Sequence, residues 1–371
     1  MANSCKGFGL SIIVPIFERE EFCRNLLESY SSVNIPSIPF ELLLVDNSTN
    51  PISSEKLRLL ATLYGVEYLH SERGVVRARN EGARNAKYKY LLFVDSDCIL
   101  DENVLIEYER LFLEHNPACA AGKTEFYGHE SIWWKGIKDM VYFFPFRWCE
   151  WEDLELTWAP SCNLMIRADV FKDIGGFQVV FFPKEASEDV DICQRIINAG
   201  HKITKCPRGI VYHTTETWNN LSAIVTRFFC FGIGQAEMIL KHKEHINALP
   251  SITNMFWILT LCALVFACFG FWSAVMVTVF LILVTPFSFL LVQYLRLHKS
   301  NSFWSLIMHY IVEFLYDSGK LFHSIRKGRF FIFRNFVYSD EMAMGLWKKN
   351  VDEYISYIIS ITLLIFVLCL R

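Results

Sequence analysis

Between Glu244 and Arg296 the chain contains no Asp, Glu, Lys or Arg. A helix of about 20 apolar residues crosses the hydrocarbon of a bilayer, so this stretch has room for two spans. Gly270, between Phe269 and Phe271, is the natural tip of such a hairpin. A run this long without charge exceeds ordinary core helices. Lys241 and Lys243 precede it, and Arg296 and Lys299 follow. Positive charge on both flanks fits a hairpin whose two ends lie in the cytoplasm. Composition agrees with a chain in two parts: 53% of the residues are hydrophobic, yet 20% are charged, too many for a uniform bundle of spans. The formal net charge of -3 provides no basic footprint and argues against nucleic acid as the main partner.

The remaining boundaries follow from this stretch. Residues 1–245 are expected to form an α/β domain, 246–297 the hairpin, 298–352 an interfacial segment and 353–371 a last span. Phe303 to Phe336 mixes aromatics with Lys320, Arg326, Lys327, Arg329 and Arg334, a composition suited to a membrane surface. Tyr354 to Leu370 is apolar and just long enough to cross, behind Lys348 and Lys349. The twelve cysteines are scattered without a C-x-x-C pair, so zinc spacing is absent. The apolar stretch at Leu10 to Phe17 is short and interrupted by Pro15, unlike a signal peptide, so a reduced, cytosolic N-terminal part is expected.

From Gly9 to about Tyr212 short apolar runs alternate with amphipathic segments, as in βαβ units. Leu10 to Pro15, Phe40 to Val45, Val66 to Leu69 and Tyr90 to Val94 read as strands. Glu21 to Ser31, Leu57 to Tyr64, Val75 to Ala86, a stretch to about His115, and Glu188 to Ala199 read as helices. Gly175-Gly176 marks a turn. The strand at Tyr90 delivers Asp95-Ser96-Asp97 at its C-terminal end, where open α/β sheets place ligands. The aromatic stretch from Phe126 to Trp158 has two readings, packing or the lining of an acceptor entrance.

Two acidic motifs can carry chemistry. Two carboxylates one residue apart at a strand end can hold a hard cation such as Mg²⁺ or Mn²⁺, which neutralises a departing diphosphate. A bare D-x-D is more often a solvated turn, and its place after a buried strand is what brings the metal reading level with that one. Glu188-Asp189-Val190-Asp191 opens a predicted helix, where acidic residues favour the dipole; one of them can also serve as a general base.

The stretch from Leu10 to Glu237 resembles the family 2 glycosyltransferases of the GT-A fold. The matching segments are Ser11 to Arg19, Leu43 to Thr49, Arg77 to Ala86 before the D-x-D strand, Ala159 to Arg167 with Phe171 and Gly175-Gly176-Phe177, and Glu188 to Asp191, in the family's order. The resemblance implies a Rossmann-like mixed sheet flanked by helices, here followed by C-terminal transmembrane helices. It assigns Pro15, Phe17, Glu18, Asp46, Arg73, Arg79, Asp95 and Ser96 to the donor. Asp97 becomes the principal ligand of a divalent cation, with Asp95 and His213 beside it. Asp189 becomes the base, Glu188 its acidic neighbour and Asp191 the reserve choice. Glu18 stands where relatives commonly have Asn, and Asn47 where many have a second Asp. Ile224 to Phe228 retains only the Arg of the Q-x-x-R-W motif of processive synthases, which points to the addition of one sugar.

The expected activity is inverting transfer of a single sugar from a UDP- or GDP-linked donor to an acceptor hydroxyl. The acceptor is expected to be a saccharide, lipid-linked in cell-surface polysaccharide or glycolipid synthesis, with the enzyme integral to the cytoplasmic membrane and its catalytic domain on the cytoplasmic side. Two rivals are a nucleotidyltransferase, which should show a glycine-rich loop that Pro15 to Arg19 lacks, and an inactive sugar-binding scaffold of the same fold.

Overall fold

The computed structural model describes residues 6–150, 155–179, 186–242, 246–248, 252–296, 302–329, 334–336, 355–356 and 358–365. In chain order the elements are β1 (Gly7–Ile16), α1 (Glu20–Tyr30), β2 (Phe40–Asp46), α2 (Pro51–Tyr64), β3 (Glu67–His70), α3 (Val75–Asn85), β4 (Tyr88–Phe93), β5 (Cys98–Leu100), α4 (Val104–His115), β6 (Cys119–Tyr127) and α5 (Ile132–Ile137). There follow β7 (Leu164–Arg167), α6 (Ala168–Asp173), α7 (Glu188–Asn198), β8 (Ile203–Thr214), α8 (Leu221–Lys241), β9 (Ile246–Ala248), α9 (Ile252–Cys268), α10 (Trp272–Arg296), α11 (Phe303–Arg326) and β10 (Arg334–Phe336). The chain divides into two compact units, Met1–His129 with Val141–Thr217, and Glu130–Met140 with Trp218–Arg371.

The first unit is built on one sheet in the order β3-β2-β1-β4-β7-β6-β8-β5. Strands β3, β2, β1 and β4 are parallel. Strand β7 runs against both β4 and β6, β8 is parallel to β6, and β5 is antiparallel to β8. The unbroken apolar run of β1 suits this central place, because a strand covered by helices on both faces has no solvent side to alternate toward. Leu10, Ile12 and Val14 enter one core with Leu42, Leu44, Tyr90 and Leu92, closed by Leu26 and Leu27 of α1, Leu57 of α2 and Tyr108 of α4. This is the mixed, helix-flanked α/β sheet expected of the GT-A class.

Two local differences from the sequence reading have simple causes. Helix α2 begins at Pro51 instead of Leu57, because the Asn50 side chain accepts from the Ile52 amide and Pro51 takes the first turn, where its missing N–H costs nothing. In α1 the buried face is Cys23, Leu26 and Leu27, with Phe22 and Tyr30 only half-buried.

Helix α3 lies unusually close to the sheet. A Cβ at Gly82 would meet Ile13 Cγ2 at 2.5 Å and Val45 Cγ2 at 3.1 Å. The glycine therefore sets the depth at which α3 holds its neighbours Arg79 and Asn80.

In the second unit α8 and α11 cross on two glycines. A Cβ at Gly232 would stand 1.8 Å from the Tyr316 carbonyl oxygen, and one at Gly319 2.0 Å from that of Phe229. Trp134 of α5 is buried beside Trp218, and Trp133 packs on Trp304, whose indole donates to the Ile132 carbonyl at 2.8 Å. These two tryptophans thus follow the packing reading. Helices α9 and α10 meet at Gly270, whose φ of 75° makes the tight turn that a glycine allows. Among the described residues, Leu221–Lys241 and Trp272–Val292 are long and apolar enough to cross a membrane, and Phe256–Cys268 is a shorter apolar helix. Leu261, Leu264, Trp272, Met276, Leu283 and Phe287 are exposed along α9 and α10. The hydroxyls of Thr260, Thr278, Thr285 and Ser288 are satisfied by carbonyls within their own helices, as an apolar surrounding requires. Of the expected last span only 355–356 and 358–365 lie within the described residues, and they are helical. Within the expected interfacial segment, α11 buries Lys320 against Asp317 at 3.1 Å.

Replacing Gly82 by Val should destabilise the first unit by about 1–3 kcal/mol through overpacking against Ile13 and Val45. Urea unfolding of the two proteins side by side tests this; an unchanged midpoint would refute the close approach.

Candidate active site

The D-x-D motif is placed by sheet register. After β4 ends at Phe93, Val94 bonds back to the Ile13 carbonyl, and the chain turns through Asp95 to Asp97. It then enters β5, an edge strand that the sequence reading did not anticipate. Cys98 of β5 pairs with His213 of β8, and the Thr214 amide donates to the Asp97 carbonyl at 3.0 Å. His213 is thereby set beside Asp97, with Nε2 3.4 Å from Oδ1. Its Nδ1 lies 2.9 Å from the Thr214 carbonyl oxygen, which can only accept. Nδ1 therefore donates to that carbonyl, and Nε2 faces the Asp97 carboxylate.

Donor atoms of Asp97, Cys98 and His213 all lie within 4.8 Å of one another, and all three residues are buried. Burial pushes the Cys98 thiol well up, so it stands as a neutral group. Asp97 and His213 are left as an oxygen and a nitrogen ligand that fit a divalent cation, with the imidazole fixed by a backbone carbonyl as metal-binding histidines commonly are. Phe126 and Phe146 flank the His213 ring at 5.4 and 6.5 Å between centroids.

Arg79 of α3 joins the two acidic motifs. Its side chain is 3% exposed; Nη2 lies 2.8 Å from Asp95 Oδ1, and Nη1 2.9 Å from Glu188 Oε1 at the start of α7. Both carboxylates hold the guanidinium well above its ordinary pKa despite the opposing effect of burial. The Phe177 ring covers its face at 5.3 Å. Phe177 is itself clamped by Asn80, whose amide donates to the Phe177 carbonyl at 2.8 Å and accepts from its N–H at 3.0 Å. Gly176, at φ 67°, allows this, since a Cβ there would lie 2.8 Å from Asn80 Oδ1. Arg79 is expected from the sequence at the donor; in the structure its guanidinium has both ends engaged by protein carboxylates. Asn80 had been assigned no part.

The carboxylates of α7 have separate fates. Asp191 is fully buried and bonded by Arg195 at 2.9 Å, and Arg195 also donates to the Ile174 carbonyl at 2.7 Å. Asp191 forms an ion pair with Arg195 within its own helix. Asp189 keeps a partly exposed face and accepts from the Val190 amide at 2.8 Å. Burial first, then the charge of Glu188, push its carboxyl up to about 7.

Of the residues expected to meet the donor, Pro15 is buried in β1 opposite Val45, while Phe17 is half-buried with the exposed Arg73 guanidinium 5.4 Å over its ring. Glu18 donates its amide to Ser48 Oγ at 2.8 Å. Ser96 is buried between the two aspartates. Asp46 is fully buried: Oδ1 accepts from the Ser48 amide at 2.8 Å and Oδ2 from Tyr68 at 2.7 Å. Burial works against ionisation, but hydrogen bonds from Ser48, Ser54 and Tyr68 hold Asp46 below the usual carboxylate range. Arg19, to which the sequence reading gave no role, contacts Asp97 Oδ2 through Nη1 at 3.0 Å. Nothing in its spacing pointed there, because the contact depends on the backbone of the turn after β1.

A mixed sheet presenting D-x-D at the end of β4, joined through a buried arginine to an E-D pair on α7, defines a glycosyltransferase of the GT-A fold. Residues 11–175 match the family described as Glycosyl transferase family 2, and the chain carries a family 2 glycosyltransferase domain. It is 23% identical over 262 residues to the glycosyltransferase AglE of Haloferax volcanii, a match covering 67% of this chain and 80% of that protein. It is 29% identical over 253 residues to the poly(ribitol-phosphate) beta-N-acetylglucosaminyltransferase TarS of Staphylococcus aureus, covering 64% of this chain and 43% of TarS. Among solved structures it is similar to the mannosyltransferase PcManGT of Pyrobaculum calidifontis in complex with GDP-Man and Mn²⁺, with a TM-score of 0.48 and 13% identity, over 64% of this chain and 67% of that one.

Replacing Arg79 by Met should cost about 3 kcal/mol of stability, the lower end for breaking a buried ion pair, because Asp95 retains some contact with water. Thermal unfolding measures it. Glu188→Gln, which leaves Asp95 on the guanidinium, should cost less; the reverse order would contradict the bridging role.

Proposed function

We propose that the enzyme transfers one sugar from a UDP- or GDP-linked donor to the hydroxyl of a saccharide acceptor, with inversion at the anomeric carbon. The observation that carries this reading is the Arg79 bridge, which brings the D-x-D turn and the α7 carboxylates into one site. Asp189 serves as the base. It takes the acceptor hydroxyl proton as that oxygen forms its bond to C1, and the bond from C1 to the diphosphate breaks on the opposite face. The nucleoside diphosphate leaves with the electron pair. Phe17 and Arg73, with Pro15, Glu18 and Ser96, line the donor side. Asp97 and His213 would hold a divalent cation, Mg²⁺ or Mn²⁺, which when bound offsets the negative charge of the diphosphate.

The exposed apolar residues of α9 and α10 support an enzyme anchored in the membrane, and Lys241, Lys243, Arg296 and Lys299 on the flanks of this stretch favour a catalytic unit at the cytoplasmic face. That location favours a lipid-linked saccharide as acceptor, drawn from the same surface.

Purified protein incubated with Mn²⁺ and a panel of nucleotide sugars should release free UDP or GDP, rising with acceptor. Release of pyrophosphate would replace this reading with nucleotidyl transfer, and tight donor binding without turnover would make the chain a binding protein.

The raised pKa of Asp189 sets the pH profile. The base must be ionised, so kcat/KM should rise through about pH 7 and level off above it, falling about tenfold per unit on the acid side. Linkage carries the opposite sign for stability. The unfolded carboxyl loses its proton near its ordinary value while the folded one keeps it to about 7, so folding weakens as pH rises through that window. Asp189→Asn should therefore abolish transfer while raising the unfolding temperature above pH 7. Normal transfer by that variant would remove Asp189 as the base.

A further inference from the structure

The turn between β1 and α1 is held in an unusual backbone. Glu18 has φ 47° and Arg19 φ 129°, two successive residues with side chains in a region that L-residues rarely adopt. Neither is glycine, so the surroundings impose the conformation: the Glu18 amide bonds to Ser48 Oγ at 2.8 Å, and the Arg19 carbonyl accepts the Cys23 amide of α1 at 3.0 Å. The outcome of this strain is the aim of one side chain. Arg19 reaches across to Asp97 Oδ2 at 3.0 Å, yet its side chain stays 44% exposed and is only loosely braced, 5.7 Å from the Phe22 ring. Asp97 Oδ1 faces His213. The guanidinium thus lies on the carboxylate that the proposed cation would use.

We propose that Arg19 is a latch shared between Asp97 and the donor diphosphate. Without ligand it neutralises Asp97 and weakens the binding of a free cation. When cation and nucleoside diphosphate arrive together, the cation takes Asp97 and the guanidinium turns onto the diphosphate, whose oxygens its planar fork matches. Arg79 is unsuited to that task, because it is buried and engaged at both ends. Arg19 is exposed enough to move without unpacking the core. The latch makes binding ordered, since a cation without nucleotide must displace a charge that has nowhere better to go. It rests on the cation-assisted transfer proposed above.

The test compares wild type with Arg19→Gly, which suits the φ of this position and so does not endanger folding, and with Arg19→Lys. Calorimetry measures Mn²⁺ alone, and then UDP and GDP at saturating Mn²⁺. Arg19→Gly should bind Mn²⁺ alone about three- to tenfold more tightly, and the nucleotide about tenfold or more weakly. Arg19→Lys should restore part of both effects. Opposed changes distinguish the latch from a merely structural residue, whose loss would weaken both ligands. Unchanged Mn²⁺ affinity in Arg19→Gly, with wild type binding Mn²⁺ and nucleotide normally, would overturn the latch and leave the transferase reading intact. If wild type binds neither nucleotide in the presence of Mn²⁺, the transferase reading fails and the latch with it.

Discussion

The site depends on a single buried guanidinium. Removing Arg79 from water costs several kcal/mol, a cost offset only when the charge is met at close range. Asp95 and Glu188 meet it from two sides, and the Phe177 ring covers a third. These partners come from the end of β4, the start of α7 and the loop after α6, segments far apart in the chain. Any drift of one segment leaves a charge uncompensated, so the pairing fixes their separation more firmly than loop packing would. The depth of α3 enters here as well. Gly82 lets that helix settle onto β1 and β2, and Asn80 locks the Phe177 backbone as a neighbouring strand would.

With Arg79 engaged, the electrostatics of the site become lopsided. Asp95 and Glu188 share one positive charge, while Asp97 and Asp189 add further acidity. Asp189 answers this by holding its proton to about 7, the response of a carboxyl whose hydration is reduced and that stands beside another carboxylate. Asp97 answers it by drawing Arg19 onto itself. Should Arg19 leave Asp97, these carboxylates would oppose a nucleoside diphosphate unless positive charge entered with it. In the proposed reaction the same carboxylates therefore link the affinity for a cation to the affinity for the donor.

Much of this was legible in the sequence, for reasons that differ from residue to residue. The apolar runs at Leu10, Phe40 and Tyr90 are strands because a sheet buried on both faces demands continuous hydrophobicity, and all three formed where expected. The hairpin turn at Gly270 followed from an uncharged stretch too long for one helix. What could not be read was register. That His213 stands by Asp97 follows from the pairing of Cys98 in the short strand β5 with His213 near the end of β8, and no local pattern announces a three-residue edge strand. Arg79 was legible as a site residue but not as a bridge, since its partners lie 16 and 109 residues away. The sequestration of Asp46 by Tyr68 and Ser48 was hidden for the same reason. For Trp133 and Trp134 packing was the favoured reading and an acceptor entrance the other, and their contacts with Trp304 and Trp218 agree with packing.

The choice between Asp189 and Asp191 was open in the sequence, and helix geometry separates them. Successive residues of an α-helix are rotated by about 100°, so two residues two apart point to nearly opposite sides. One must face inward if the other faces the site. Ile192, Cys193 and Ile196 mark the inward side of α7, and Asp191 lies with them at zero exposure. A carboxylate there needs a fixed counter-charge, and Arg195, four residues on, provides it from the same helix. An ion pair so enclosed cannot accept a proton from a substrate without breaking its own bond to Arg195. Asp189, on the turned face, keeps contact with solvent and has the Val190 amide and a raised pKa, the properties that a proton acceptor working near neutrality requires. The same rotation that buries one carboxylate thus frees the other.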